Sequence, residues 1–264
     1  VTFKSKRLDL DWSQDLPKYW LDNDPVKTHF FNSLSIAFTG RGEIAFIDAI
    51  RGSLDKINDP VLHSQCLEFI KQESQHNRVH KQYNEWLDTQ GLPATLLEKK
   101  AFDHYQLNKH KMSFKTLLVI TACQEHNTSI IAGHILGNEE LSNQMHPHFR
   151  KIWQWHSVEE LEHRSVAFDT MLHLKMSAPV KIITVVLSIL LMCKLLKTTI
   201  LLLHADKKLF KFDTIRGFCN LFFSTKTGLI KSIVPWLKIL KSDFHPKNQY
   251  VKLLEEKQNL KNAN

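Results

Sequence analysis

Apolar residues along this chain recur at intervals of three and four, and nowhere do they alternate with polar ones for long enough to make a strand. Phe69 and Ile70 share a stripe with Glu73 and His76, and Leu117, Val119, Ile120, Ile131 and Ile135 mark another that starts near Ser113. Punctuation is sparse. Gly40 and Gly42 flank Arg41, and Asp59-Pro60 reads as an N-cap followed by proline at the first helical position. Gly91-Leu92-Pro93 closes that segment, Gly137 ends another, and Ala178-Pro179 separates two parts of the chain. The spacing predicts four long helices, over 42–54, 60–88, 113–137 and 139–175, with a short helical crossover near 95–111. No internal repeat interrupts them. The expected class is all-α, with a bundle over 1–176 and a second region over 177–264.

Composition narrows the picture. With 43% hydrophobic residues and only 8 Gly and 8 Pro in 264, disorder and collagen-like repeats are excluded. Cys66, Cys123, Cys193 and Cys219 lie far apart and form no CxxC pair, so neither a zinc ribbon nor a redox dithiol is indicated. A reducing compartment follows as the default. The opening VTFKSKRLDLDW lacks the apolar run of a secretory signal, and the expectation is a cytoplasmic chain. The net charge of +8 is unevenly spread. Residues 1–170 hold 19 Lys+Arg against 22 Asp+Glu, whereas 171–264 hold 16 against 5. A basic module of that kind faces either nucleic acid or an anionic membrane.

Candidate chemistry lies in the acidic part. Among 13 Glu and 15 His, a single Glu-x-x-His would carry no information, because abundance alone supplies one. The chain has two, Glu73 with His76 and Glu160 with His163, each inside a predicted long helix. The two other long helices each offer one glutamate, Glu43 in GEIAFIDAI and Glu125 in TACQEHNTSIIAG. Glu125 sits in a mostly apolar helix, where an unpaired carboxylate is costly to bury without a cation or hydrogen bonds. The order Glu, Glu-x-x-His, Glu, Glu-x-x-His is the one by which a four-helix bundle builds a dinuclear carboxylate site. Spacings of 30 residues from Glu43 to Glu73 and 35 from Glu125 to Glu160 suit antiparallel pairs, and the 52 between Glu73 and Glu125 leave room for a crossover. His156, Glu160 and His163 project within about 60° of one another on a helix.

Plainer readings exist for each. The paired motifs would serve on a solvated face, Glu43 and Glu125 as helix-start or salt-bridge carboxylates, and His156 as a core histidine beside Trp153 and Trp155. Glu159 and Glu162 fall on other faces, as outer or surface groups. His80 reads as a hydrogen-bonding partner, and His126 and His134 as structural. Asp169 reads equally as an orienting group for a ligand histidine or as half of a salt bridge. Thr121, Thr128 and Ser129 lie near the Glu125 face as pocket-lining hydroxyls. No GxSxG, P-loop or GxGxxG motif competes.

Four segments, RGEIAFIDAIR, FIKQESQHNRVHKQYN, CQEHNTSI and WQWHSVEELEHRSVAFD, resemble the family of predicted metal-dependent hydrolases, over roughly residues 35 to 175. That family in turn resembles ferritin-like di-iron proteins, including p-aminobenzoate N-oxygenase. The resemblance implies a ferritin-like bundle with Glu43, Glu73, His76, Glu125, His156, Glu160 and His163 as metal ligands. His156 matches an extra histidine that is a ligand in the oxygenase. The implied cofactor is two iron ions, with manganese or zinc as alternatives. The family name points to hydrolysis while the site points to oxygen chemistry.

Beyond Pro179 the longest uncharged run, Ile182 to Cys193, is 12 residues, short of the roughly 20 that span a bilayer. Lys194 and Lys197 interrupt it, and the following stretch interleaves Lys and Arg with Phe, Leu, Ile and Trp. That pattern predicts an interfacial element on anionic lipid. No nucleic-acid reading module is visible. A helical subdomain packed on the bundle, or a homodimer interface, is the alternative. Three functions follow as expectations: a di-iron enzyme activating O2 on a hydrophobic or acyl substrate; a di-metal hydrolase with Glu159 or a displaced ligand activating water; and a non-catalytic peripheral membrane bundle.

Overall fold

The computed structural model describes residues 3–262, and among these every regular element is helical, with one isolated bridge between Leu21 and Met145. The first helix begins well before the predicted one. Asp24 accepts hydrogen bonds from the Val26 and Lys27 amides, Pro25 occupies the first turn, and α1 runs Pro25–Ala37. It continues through a π turn, Phe38–Gly42, directly into α2, Glu43–Arg51. Gly40 and Gly42 therefore lie within a helix and do not start one. At Gly40 a Cβ would stand 2.8 Å from the Ala101 side chain and 2.9 Å from the Glu98 carbonyl, so its lack of a side chain lets the crossover helix approach.

α3, Pro60–Thr89, follows its sequence signals, with Asp59 accepting from the Val61 and Leu62 amides and Gly91 leaving at a φ of 77°. The crossover is α4, Ala94–Asn108, and α5 spans Phe114–Leu136 behind a Ser113 cap. The predicted 139–175 helix is in fact three. α6 covers Glu139–Gln144, Pro147 opens α7, Pro147–His163, and the chain breaks at Arg164 before α8, Val166–His173. The Arg164 guanidinium is buried and donates to the Leu161, Pro246 and Lys247 carbonyls, tying the end of α7 to the C-terminal segment.

Four helices surround one polar centre: α2 packs on α3 and α5, and α7 packs on α5 and α3. The remaining chain wraps this group. α9, Val180–Ala205, lies along α1 and α5; α10, Phe212–Phe223, lies on α1; α11, Ile233–Leu237, reaches α5; and α12, Val251–Lys257, reaches α7. Leu195, Leu202, Leu203 and Leu221 belong to the same apolar core as Trp20, Phe30, Phe31 and Trp153. The core therefore continues across the expected boundary at 176/177, because α9 supplies one wall of it. Asp206, just past α9, clamps the N-terminal arm by taking Lys18 at 2.5 Å, the Tyr19 hydroxyl at 2.7 Å and His29 at 3.1 Å.

Candidate metal centre

The continuous α1–α2 rod sets one wall of the centre. Its π turn lays the Phe38 ring on His156, with ring centroids 5.1 Å apart, and Glu43 follows in the next turn. A π insertion re-aims the side chains around it, and such insertions recur at functional sites. Glu73 and His76 come from α3, Glu125 from α5, and His156, Glu160 and His163 from α7. All seven are buried.

Their donor atoms converge. Glu73, His76, Glu160 and His163 each bring one ligand atom to within 4.8 Å of the others, and Glu43, His76 and His156 form a second such group. His76 is common to both, so the two groups are adjacent. Glu160 Oε1 lies 3.0 Å from His156 Nε2 and 3.6 Å from His76 Nδ1. His163 stands between two carboxylates, 3.0 Å from Glu125 Oε2 and 3.2 Å from Glu73 Oε1. Glu125 belongs to neither group of donors and joins the centre through this bond.

The polar atoms of these residues are largely unsatisfied. Both oxygens of Glu43, Glu73 Oε2, Glu125 Oε1, Glu160 Oε2 and His76 Nδ1 are buried without a hydrogen-bond partner, while Glu73 Oε1 with His163 Nε2 and Glu160 Oε1 with His156 Nε2 meet as ion pairs only. One buried orphan costs about 1–3 kcal/mol and more when charged, so this many at one point would be ruinous as a purely structural feature. Cations resolve the conflict. Oxygen and imidazole donors suit iron, manganese or zinc, and two divalent ions would cancel four carboxylates formally.

Electrostatics describe the same conflict. Burial, reinforced by Glu160, pushes the Glu43 carboxyl well above its usual range, and burial with Glu160 and Glu125 does so for Glu73. Burial raises Glu125 to about 7 despite the opposing pull of His163. Glu160 goes the other way. Burial pushes its carboxyl up, but His163, His156 and His76 outweigh that and hold it below the carboxylate range. Burial would lower His163, yet Glu125 and Glu160 raise it to about 9. Burial, with His156 beside it, pushes the His76 imidazole well below its usual value.

The sequence model of a family described as predicted metal-dependent hydrolases matches residues 4–249, nearly the whole chain. The chain belongs to that family. No curated protein and no solved structure matches it. The family's span also crosses the 176/177 boundary, in keeping with the shared core.

Around this hydrolase-family centre lies an outer shell of fixed partners. Glu159, expected as a water-activating group, has both oxygens engaged: Oε2 meets His76 Nε2 at 3.1 Å, and Oε1 takes the Lys6 amide at 3.0 Å and Lys261 at 3.2 Å. Turned to Glu159 by its outer nitrogen, His76 presents Nδ1 inward. Glu162 takes Gln72 at 2.7 Å and Lys261 at 2.5 Å and stays outside the centre.

A directional chain orients His156. Glu98 only accepts, so the Asn84 amide nitrogen, 2.8 Å away, must face it, leaving Asn84 Oδ1 to accept from the Ser35 hydroxyl at 2.9 Å. Ser35 then accepts from His80 Nδ1 at 3.0 Å, and His80 Nε2 accepts from His156 Nδ1 at 2.8 Å. This run of partners favours the tautomer of His156 that would offer its Nε2 lone pair to a cation, the nitrogen that otherwise meets Glu160 Oε1 at 3.0 Å. His80 was legible as a partner. Ser35, Asn84 and Glu98 were not, because nothing in their local sequence signals the pairing.

Other expected roles resolve simply. His126 and His134 donate from Nε2 to the Trp236 and Thr227 carbonyls, 3.2 and 3.1 Å away, as structural groups. Asp169 pairs with His245 at 3.0 Å and touches no centre histidine. The Thr128 and Ser129 hydroxyls bond to their own helix, while Thr121 Oγ1 is buried and unpartnered. An apolar cavity of about 230 Å³ between α1, α5, α9 and α11 uses Asn127, Ile131 and His134, on the side of α5 turned away from Glu125.

Proposed function

We propose that this chain is a hydrolase working at two cations held by Glu43, Glu73, His76, Glu125, His156, Glu160 and His163 in a ferritin-like four-helix arrangement. The observation that carries the reading is the convergence of so many unpartnered buried donors from four helices. When bound, the cation pair supplies Lewis acidity toward a water and toward the carbonyl or phosphoryl group to be cleaved. The chain's own residues do the rest. The four carboxylates neutralise the pair and fix its position. Glu159 and His80 lock the rings of His76 and His156 by their outer nitrogens, so we assign Glu159 a positioning role instead of proton transfer to water. Phe38, Phe69 and Trp155, packed edge or face against the ligand histidines, exclude bulk water. Ile44, next to Glu43, and Thr39 of the π turn line a cleft of about 570 Å³ shared with α3 and α4, and we assign substrate entry to that side.

A second reading, activation of O2 by two irons, is favoured by His156, which adds a third imidazole one turn before the last paired motif. One comparison separates the two. Protein loaded with Mn(II), Zn(II) or Fe(II) is offered carboxylic and phosphoric esters without oxygen. Anaerobic cleavage, lost in Glu160→Ala, supports hydrolysis. Absence of cleavage, with a transient visible absorption when the Fe(II) form meets O2, would transfer the assignment to oxygen chemistry. A Glu160→Ala chain that takes up metal and behaves as the parent in both assays would leave only the non-catalytic bundle.

A further inference from the structure

α9 buries one side and bares the other. Thr184, Leu195, Thr199 and Leu202 face the bundle, while Ile182, Val186, Ile189, Leu190, Ile200 and Leu201 are exposed. At 100° per residue those six fall within about 120° of one another, so they form an apolar patch towards each end of one helix face, with exposed Cys193, Lys194 and Lys197 between them. The segments that follow α9 expose further large apolar side chains. Phe210 is 90% exposed, Phe212 84% and Val234 71%, with Ile215, Phe223 and Ile233 also open. Exposed apolar surface of this extent marks an interaction site. Lys181, Lys197, Lys207, Lys211, Arg216 and Lys231 stand exposed among these residues.

We propose that the outer face of α9, α10 and α11 seats this protein on the surface of an anionic lipid bilayer, with the Phe210 and Phe212 rings in the boundary between headgroups and acyl chains. Basic side chains interleaved with exposed aromatic and aliphatic ones match that boundary, where anionic headgroups lie directly above hydrocarbon. A second copy of the chain fits poorly, since it would bring one lysine-rich face against another. α9 is the one helix among the described residues long and apolar enough to cross a membrane. Its inner side nevertheless packs on α1 and α5 and shares their core through Leu195, Leu202 and Leu203. Spanning would carry the polar surface of the bundle into hydrocarbon, so the helix lies in the plane of the interface. The proposal goes beyond the hydrolytic reading and does not depend on it.

The test is flotation of the full, metal-loaded chain with vesicles of phosphatidylcholine alone and of phosphatidylcholine with an equal part of phosphatidylglycerol. Binding is expected to the anionic vesicles and to weaken as salt is added. Phe210→Ser and Phe212→Ser, at exposed positions that leave the fold intact, should each lower partitioning roughly tenfold. Lys207→Gln and Lys211→Gln should each lower it roughly fivefold. Metal content should match the parent in all four, which separates failure here from failure of the catalytic assignment. The proposal is overturned if the parent ignores anionic vesicles, if the phenylalanine variants bind as the parent does, or if light scattering reveals a dimer that those variants convert to monomer.

Discussion

Two regions of this protein invert the usual partition of side chains, in opposite directions. The centre between α2, α3, α5 and α7 buries four carboxylates and three imidazoles. The outer face of α9–α11 exposes phenylalanine, isoleucine and valine. Interior charge is tolerated where a surrounding shell fixes each ring and carboxyl in place, as Glu159 does for His76 and as Ser35, Asn84 and Glu98 do through His80 for His156. Exterior hydrocarbon has no such shell; its side chains project from helices anchored from behind. The contrast teaches that the polar centre is built for fixed geometry and the apolar face for contact area.

That contrast is most sharply tested by removing one inner charge. Glu73→Gln should cut cation affinity by more than about a hundredfold, beyond the cost of losing an outer partner. Metal competition assays read the effect; a variant that keeps the parent's affinity would dissolve the distinction. Next in size, Leu195→Ala on the buried side of α9 should cost about 2–5 kcal/mol of stability. His80→Ala, which touches the centre only through His156, should weaken cation binding about 10–100-fold without abolishing it. Equal loss from His80→Ala and Glu73→Gln would erase the difference between shell and centre.

Acidity offers a subtler probe. Without metal, Glu125 at about 7 and His163 at about 9 both hold more protons folded than unfolded, where their values are 4.5 and 6.5. Their stabilisation is therefore complete below the unfolded values and is lost as pH rises through the folded ones. His76 and His80, both lowered by burial, shed their protons in the unfolded chain too by pH 7 and do not oppose this. The chelated protein should thus melt at progressively lower temperature from pH 7 to 9. Bound cations replace those protons, so the loaded protein should not. Smallest of all, Phe210→Asp on the outer face should leave stability within about 0.5 kcal/mol of the parent.

What the chain's letters made legible follows from how local each signal is. α3 and α5 were readable because Asp59-Pro60, Gly91 and Ser113 act within one helical turn. Glu73 with His76 and Glu160 with His163 stood out because a three-residue spacing repeats on separate helices, whereas Glu43, Glu125 and His156 entered through the helix order and the family resemblance. α1 was not, since Gly40 and Gly42 look like breakers until α4 is seen packed against them. The 139–175 segment looked continuous because Pro147 suits a first turn as well as a break. The role of Glu159 and the chain from Glu98 to His156 depend on partners 14 to 83 residues apart, and no local pattern encodes those. The uncovered face of α9 is hidden in sequence because apolar residues also fill its buried side, so only packing reveals which side is covered.

The central claim is that the buried glutamates and histidines are there to hold cations. Metal analysis of the full chain, purified without chelator and compared with Glu160→Ala, tests it most directly. The account predicts two transition-metal ions per parent chain and essentially none in the variant. A parent chain that carries no metal and takes up none, or a variant that retains both ions, would contradict it.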